Sequence, residues 1–263
     1  MKNKANGRGA HYIVLAICGL VVLVCAVILV KTFIAYSEAN SVYEDMTITS
    51  EETGNEPDEN EAVPQRILSL MESYRKLKTE HSNVVGYINI PSVSISYPVV
   101  QWSDNEYYTK HLITGEENKS GSIFLDFRIS ASPQKAPNLI LYGHNMNDKS
   151  MFHNMRDLFD EEIFRETVVE YICDEGVFLY DSLAVYVTDT SDPYYKYNFY
   201  DEDSFSAFFE ERAEKSRVSV EYGQISNMIT LVTCSNSATK PDQRYLYHGM
   251  LVKAYTDLGE NNE

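Results

Sequence analysis

The feature that most constrains this chain is an uncharged apolar run near its start. Residues 12–30 read YIVLAICGLVVLVCAVILV, with no charged side chain among them. As a helix, a run of this length matches a hydrocarbon core about 30 Å thick. Its apolarity is unbroken, which argues against a helix on a soluble domain, since such a helix keeps one polar face. We therefore predict a transmembrane anchor over residues 12–35.

The charges around the run predict its orientation. Lys2, Lys4 and Arg8 precede it, and basic residues stay on the cytoplasmic side. Residues 1–11 are then cytoplasmic, and the rest of the chain is extracellular on a single-pass cell-membrane protein. A cleaved signal peptide is the alternative, but its apolar region spans about 7–15 residues. Only a weak cleavage site follows Ala35 or Ala39, so an uncleaved anchor is favoured.

Residues 36–63 have the composition of a solvated linker. They hold nine acidic residues and no basic one, and such a segment cannot bury enough apolar surface to fold alone. We predict an acidic extracellular stalk over this range. The whole chain carries a net charge of -17, which excludes a nucleic-acid partner because phosphate backbones recruit Lys and Arg.

The remaining residues predict one mainly β domain over 64–256, followed by a tail at 257–263. Residues 64–80 have apolar positions at helical spacing and begin at Pro64, as an amphipathic helix does. Residues 201–215 predict a second helix, acidic at its start and basic near its end. Between and after them, Val-, Ile-, Tyr- and Phe-rich runs predict about eight strands, in a closed barrel or a sandwich. The runs are 84–90, 93–100, 121–127, 138–144, 167–173, 176–190, 227–234 and 244–255.

The cysteines do not form a disulfide framework. Two of the four lie inside the apolar run, where they act as small hydrophobes. Cys173 and Cys234 remain, and a disulfide between them stays open at this stage. No CxxC or HExxH spacing occurs, so no zinc site is predicted.

Three residues at strand ends carry potential chemistry. His144 follows the apolar run 138–142, Cys234 ends the run 229–234, and Arg244 opens the next strand ten residues later. A free cysteine thiol has a pKa of about 8.5, so it needs a nearby base or cation to become a thiolate nucleophile at neutral pH. A histidine can take that proton and return it to a leaving amine. A fixed guanidinium can stabilise the oxyanion. Each residue alone is more often structural, and spacing does not decide.

Together, these motifs resemble the sortase family. Its signature TLxTC is matched by TLVTC at 230–234, with Arg244 about ten residues on, and YGHNM at 142–146 matches the class B histidine motif. VGYINI, ISYPVVQ, DNEYY and GSIFLD are also class B-like, and a helix in the loop before the cysteine strand is a class B feature. The chain is identified as a member of class B over roughly residues 64–256.

The resemblance implies a fold and an activity. The fold is a closed barrel of about eight strands with an N-terminal helix and a helix in the loop before the cysteine strand. The activity is cleavage of a C-terminal sorting signal after Thr, an acyl-enzyme thioester at Cys234, and transfer to a peptidoglycan amine. His144, Cys234 and Arg244 are the implied catalytic residues. The implied partners are surface proteins with an NPQT-like signal, and no cofactor or metal is implied.

Some positions depart from the family's pattern. Val232 stands where many class B members have Ser, and Thr109 where many have Leu. Asp242 is the first acidic residue after Cys234, so a Cys-His-Asp triad is not supported. These departures bear on substrate contacts rather than on the three catalytic positions. The candidate substrate contacts are Asn105, Thr188, Val232, Thr233 and Ser235.

Other functions fit part of the same pattern. A pilin-polymerising enzyme would use a lysine of another protein as the acceptor. An exported cysteine hydrolase would resolve the same thioester with water. A surface-binding module on a barrel scaffold would carry out no chemistry at all. The order of the three motifs favours the cell-wall transpeptidase.

Overall fold

The computed structural model describes residues 5–48, 63–235 and 239–258. Residues 49–62 of the predicted stalk, 1–4 of the predicted cytoplasmic segment and 259–263 of the predicted tail lie outside the described residues. The strands, in chain order, are β1 (Val84–Ile90), β2 (Ile95–Val100), β3 (Ile123–Leu125), β4 (Asn138–Tyr142), β5 (Val168–Cys173), β6 (Gly176–Asp189), β7 (Met228–Cys234) and β8 (Gln243–Thr256).

These eight strands close into a barrel with the order β1-β2-β3-β4-β7-β8-β6-β5. The closed barrel predicted from the family resemblance is confirmed, and the sandwich alternative is wrong. Each predicted apolar run contains one strand, and the boundaries agree within a few residues. Closure removes the unpaired edges that an open sheet would expose.

The pairing of β4, β7 and β8 brings three chain segments to one rim. β4 and β7 are parallel, with Tyr142 opposite Val232, so their carboxyl ends lie side by side. β8 is antiparallel to β7 and begins at that rim, with Arg244 opposite Cys234. Residues just after β4, at the end of β7 and at the start of β8 therefore become neighbours.

Four helices surround the barrel: α1 (Ala5–Glu44), α2 (Gln65–Glu80), α3 (Glu161–Glu166) and α4 (Glu202–Lys215). α2 follows Pro64, as predicted, and buries its apolar stripe. α4 begins at a capping box in which Asp201 and Ser204 bond each other's backbone N–H groups. It lies in the loop between β6 and β7, so the predicted helix before the cysteine strand is confirmed. The buried residues of α2 are Ile67, Leu70, Met71, Tyr74 and Leu77.

Helix α1 is long enough and apolar enough to cross a membrane. Its stretch His11–Glu44 contains an 18-residue window of mean hydropathy 3.5, none of which is buried against the rest of the protein. An apolar helix with no protein cover suggests membrane anchoring.

The helix does not end at residue 35, where the sequence predicts the start of a stalk. It continues to Glu44, and Ala39, Tyr43 and Ile48 are buried in the barrel's core cluster. Glu38 and Glu44 lie on the exposed face of this extension. The sequence prediction includes this extension in the stalk, because a count of acidic residues does not reveal that the opposite face of the same helix is apolar. The described part of the predicted stalk is packed on the domain.

All four cysteines are free. The disulfide that the sequence left open between Cys173 and Cys234 is therefore not formed. Cys173 ends β5 and is fully buried, whereas Cys234 ends β7 and is partly exposed.

Candidate active site

The rim formed by β4, β7 and β8 carries a cleft of about 300 Å³. His144, Cys234 and Arg244 all line it, so the structure brings the three predicted catalytic residues into one site. The other residues of its lining are Asn105, Thr109, Phe124, Tyr142, Gly143, Tyr194, Val232 and Thr233.

The ring of His144 is held by a backbone carbonyl. Its Nε2 lies 2.7 Å from the carbonyl oxygen of Thr109. A carbonyl oxygen only accepts, so Nε2 carries the hydrogen and the neutral ring keeps its lone pair on Nδ1. The backbone of His144 is held as well, because its own carbonyl accepts from Phe152 N at 2.9 Å. Nδ1 is thus the ring nitrogen able to act as a base.

Gly143 lets β4 lead into His144. Its N–H donates to the carbonyl of Val232 at 3.2 Å, which extends the pairing with β7 by one residue. A Cβ at this position would lie 2.4 Å from Ile123 Cδ1 and 2.7 Å from Phe152 Cδ2. Only glycine fits between these side chains, which explains its place before the histidine.

The backbone of Cys234 is fixed by Asn145. The Nδ2 of Asn145 donates to the carbonyl oxygen of Cys234 at 2.9 Å. Asn145 is buried and directly follows the histidine. No role was predicted for this residue from the sequence, although the YGHNM motif that contains it was part of the family resemblance. It ties the nucleophile's strand to the histidine's loop.

Arg244 is positioned by the backbone and shares the cleft with Tyr194. Its Nη1 donates to the carbonyls of Pro241, at 2.9 Å, and Gln243, at 3.0 Å. Tyr194, from the loop before α4, is buried and lines the cleft together with Arg244. Burial raises the pKa of Tyr194, while the charge of Arg244 acts in the opposite direction. No periodic pattern marks Tyr194 in the sequence, so sequence reasoning missed it.

A buried carboxylate supports the floor of the cleft. Asp126 has no exposed surface and accepts from Asn105 Nδ2 and from the Tyr142 hydroxyl, both at 3.1 Å. Arg128 donates to both of its oxygens, at 2.8 and 2.6 Å. Burial acts to raise the pKa of Asp126, but the Arg128 hydrogen bonds and charge hold that pKa below its usual value. Asp126 therefore stays ionised and orients Asn105 in the cleft.

The predicted substrate contacts divide into two groups. Asn105, Val232 and Thr233 line the cleft. Thr188 and Ser235 are not among its lining residues, so the structure does not support them as cleft contacts. The Thr188 hydroxyl donates to Asp192 at 3.0 Å, and Ser235 is only 8% exposed. Thr188 pairs with Arg244 across two strands, and Ser235 directly follows Cys234. Adjacency to a catalytic residue therefore does not by itself place a side chain in the cleft.

The cleft has no metal centre among the residues that the structure describes. Within 5–48, 63–235 and 239–258, no group of three or more His, Cys, Asp or Glu side chains is arranged to hold an ion. The chemistry that these residues can supply is a thiol nucleophile, an imidazole base and a guanidinium on one rim.

Comparison with known proteins places this arrangement in a family. Residues 88–252 match the family model described as "Sortase domain". A curated relative, sortase B of Listeria monocytogenes serovar 1/2a (strain ATCC BAA-679 / EGD-e), is 31% identical over 182 residues, which cover 68% of this chain and 73% of the relative.

Solved structures agree with that match. The structure of sortase B from Bacillus anthracis in complex with AAEK1 is 27% identical, with a TM-score of 0.67, and the match covers 84% of this chain and 99% of the other. The Staphylococcus aureus sortase B–substrate complex is 25% identical, with a TM-score of 0.63, over 70% of this chain and 86% of the other.

Proposed function

Because this chain belongs to the sortase family, the cysteine transpeptidases of cell-wall anchoring, and matches its class B members, we propose that Cys234, His144 and Arg244 carry out its acyl transfer. The carrying observation is that these three side chains line one cleft at the ends of three adjacent strands. A thiol, a base and a cation in one cleft are the groups that a thioester mechanism needs.

In the first half-reaction, Cys234 attacks a peptide carbonyl. The thiol proton passes to Nδ1 of His144, and the sulfur forms a bond to the carbonyl carbon of the substrate threonine. The carbon–nitrogen bond then breaks, and His144 returns the proton to the departing amine. The product is a thioester between the surface protein and Cys234.

In the second half-reaction, an amine replaces the sulfur. The amine nitrogen attacks the thioester carbon, its proton passes to His144, and the sulfur leaves as a thiolate. A new amide bond joins the surface protein to the acceptor. The proton on His144 then returns to the Cys234 thiolate, which restores the starting thiol and the neutral imidazole. The acceptor that we propose is an amine of a peptidoglycan precursor, the same class of acceptor that the family uses.

Arg244 stabilises the negative oxygen that forms in both halves. Its guanidinium is already oriented by two backbone carbonyls, so little reorganisation accompanies the reaction. A preorganised donor of this kind typically contributes about 2.7–4 kcal/mol to the transition state.

The substrate that we propose is a sorting signal cleaved after Thr, of the NPQT-like type. The relative from Staphylococcus aureus was solved as a substrate complex, which supports a peptide substrate for this cleft. Thr233 Oγ1 is buried at the cleft and has no hydrogen-bond partner among the residues that the structure describes. We propose that it bonds a backbone group of the peptide once substrate binding exposes the hydroxyl.

The proposed location is the outer face of the cell membrane. Basic residues precede the apolar helix, and the positive-inside rule keeps them in the cytoplasm. The barrel, which follows the helix, then lies where surface proteins emerge. Cysteine accessibility at an engineered position on the barrel, probed with a membrane-impermeant thiol reagent in intact cells, tests this orientation.

A peptide panel tests the reaction itself. The full chain in detergent is offered fluorogenic peptides of the NPQTN, LPXTG and SPKTG types, with and without triglycine. We expect cleavage of the NPQTN type after Thr, acceleration by triglycine, and a transfer product of the expected mass. Cleavage that triglycine does not accelerate would identify a hydrolase instead. No cleavage, and no thioester at Cys234 by mass spectrometry, would overturn the proposal.

A further inference from the structure

The end of the membrane helix contacts the part of the barrel that holds the catalytic histidine. The hydroxyl of Tyr43 donates to the carbonyl of Gly121 at 2.9 Å and shares a hydrogen bond of 2.8 Å with Ser122 Oγ. A second contact lies two turns earlier, where Asn118 Nδ2 donates to the carbonyl of Ala35 at 2.9 Å. Helix α1 is thus bonded to residues 118–122 at two levels.

Residues 121–122 lie directly against the backbone that orients His144. Gly121 has φ +58, and a Cβ there would lie 2.4 Å from the carbonyl oxygen of Tyr108 and 3.0 Å from that of Thr109. Ser122 N also donates to Tyr108 O at 3.0 Å. The Thr109 carbonyl is the group that accepts from His144 Nε2. Three contacts, through Gly121 and Thr109, therefore link Tyr43 to the ring of the histidine.

A second route leads from Tyr43 to the backbone of His144. The rings of Tyr43 and Tyr97 pack edge to face, with centroids 5.5 Å apart. The Tyr97 hydroxyl accepts from Met151 N at 3.0 Å. Met151 has φ +58 and forms a β-bridge with Asn145, and its neighbour Phe152 donates to the carbonyl of His144.

Both routes begin at one buried side chain on the membrane helix. Tyr43 is 4% exposed, although it lies in a segment whose composition predicts a solvated stalk. The hydroxyl of Tyr43 leads to the groups that hold the ring of His144, and the aromatic ring of Tyr43 leads to those that hold its backbone. A buried hydroxyl with two polar partners fixes its neighbours in one arrangement, because breaking it leaves unpaired groups.

We propose that Tyr43, at the end of the membrane helix, is a positioning residue that holds His144 in its reactive orientation through the Gly121–Thr109 backbone and through Tyr97. The inference rests on the proposed function in one respect, namely that His144 is the acid and base of the reaction. The membrane anchor is then also a structural part of the active site.

The test compares two tyrosine variants of the full chain in lipid nanodiscs. Tyr43→Phe removes the hydroxyl that begins the Gly121 route and keeps the ring that packs on Tyr97. Tyr180→Phe is the matched control, because its buried hydroxyl donates to Asn227 at 2.9 Å and it contacts neither route. Tyr43→Phe loses the bonds to Gly121 and Ser122, and Tyr180→Phe loses the bond to Asn227, so a merely structural role predicts a loss of stability in both and no selective fall in kcat.

Turnover provides the first readout. We expect Tyr43→Phe to lower kcat by about three- to tenfold, the range that one hydrogen bond supports, with KM changed by less than about twofold. Ser122→Ala, which removes the hydroxyl partner of Tyr43, should lower kcat in the same direction. Tyr180→Phe should keep its kcat. Equal kcat in Tyr43→Phe and wild type, or an equal fall in Tyr180→Phe, would overturn the proposal.

The second readout does not depend on turnover. Nitrogen-15 NMR of labelled imidazoles, with His144 assigned from His144→Gln, reports which ring nitrogen carries the hydrogen. We expect the Nε2–H form in wild type and Tyr180→Phe, and a mixture of tautomers in Tyr43→Phe. An unchanged His144 spectrum in Tyr43→Phe would overturn the positioning role even if the enzyme were active. An absence of transfer in wild type would instead count against the proposed function.

Discussion

The rim of the barrel and the buried interior of the whole domain contain the same three chemical groups in different surroundings. Each region has one thiol, one imidazole and one guanidinium. At the rim the groups share a cleft and are partly exposed, whereas in the interior each is buried and has structural partners. The rim set is Cys234, His144 and Arg244, and the interior set is Cys173, His248 and Arg212.

Burial makes the interior groups unreactive. His248 lies between two hydroxyls, with Nδ1 2.9 Å from Thr230 Oγ1 and Nε2 3.1 Å from Tyr186 Oη. Burial, helped by the charge of Arg212, lowers the pKa of His248 to about 3. Arg212 pairs with Asp192 in the interior. Burial also raises the pKa of the Cys173 thiol well above its usual value.

The rim groups differ because the barrel ends there. His144 has one ring nitrogen bonded to a carbonyl and the other able to take a proton, and Cys234 is partly exposed beside it. The comparison teaches that residue type and strand context do not determine reactivity. Both cysteines end an apolar strand, and only their position relative to the rim separates a nucleophile from a core side chain.

The largest expected effect is loss of the rim thiol. We expect Cys234→Ala to abolish peptide cleavage, because no other group in the cleft can form the thioester. The Tm should stay close to that of wild type, since a partly exposed side chain away from the core contributes little. Fluorogenic cleavage and differential scanning calorimetry measure the two. Turnover that persisted in Cys234→Ala would show that the rim thiol is not the nucleophile.

The next effect concerns the rim guanidinium. We expect both Arg244→Lys and Arg244→Ala to lower kcat/KM by at least about a hundredfold, since lysine lacks the planar fork. The matched control is Arg156→Lys at an exposed position, which should be nearly silent.

Alkylation of Cys234 separates two roles for Arg244. In the two Arg244 variants the rate of alkylation should fall much less than kcat/KM, because the reaction with an alkylating reagent forms no oxyanion. A kcat/KM for Arg244→Lys within about threefold of the wild-type value would refute the oxyanion role. An equal fall in alkylation would assign Arg244 to thiolate activation instead.

The interior imidazole should affect stability rather than rate. His248 is neutral when folded and has a pKa of about 3, against about 6.5 when unfolded. Between these values the unfolded state binds more protons than the folded state. The contribution of His248 to the free energy of unfolding is therefore fully present above pH 6.5 and is lost as the pH falls toward 3. At pH 5 the loss from this group is about 2 kcal/mol. Urea unfolding at several pH values measures it, and His248→Gln should flatten this part of the profile. An equal slope in the variant would contradict the assignment.

The smallest effect is expected at the interior thiol. Cys173→Ala should keep nearly all activity and lose about 1 kcal/mol of stability, the usual cost of removing one buried atom without a charge. In the folded protein a thiol reagent should modify Cys234 and leave Cys173 unmodified until denaturant is added, as peptide mass spectrometry can show. Rapid native modification of Cys173 would mean that the interior is more open than its burial indicates.

Features that depend on local pattern were predictable from the sequence. The apolar helix, the α2 stripe and the α4 helix each carry a complete signal within one segment, and each strand agrees with its predicted run within two residues at either end. The three rim residues were found because their motifs, TLVTC, YGHNM and Arg244, resemble those of a family. A periodic or fixed-spacing pattern within one segment can be interpreted without knowing which distant residues that segment contacts.

Features that depend on distant contacts were decided only by the tertiary structure. Tyr43 lies in an acidic segment, yet its hydroxyl bonds a backbone group 78 positions later. Tyr194 reaches Arg244 from a loop without periodicity, and Thr188 and Ser235 lie beside the catalytic strands but outside the cleft lining. The physical reason is that burial and hydrogen-bond partners depend on how the barrel closes, and closure brings together residues whose sequence neighbourhoods carry no sign of one another.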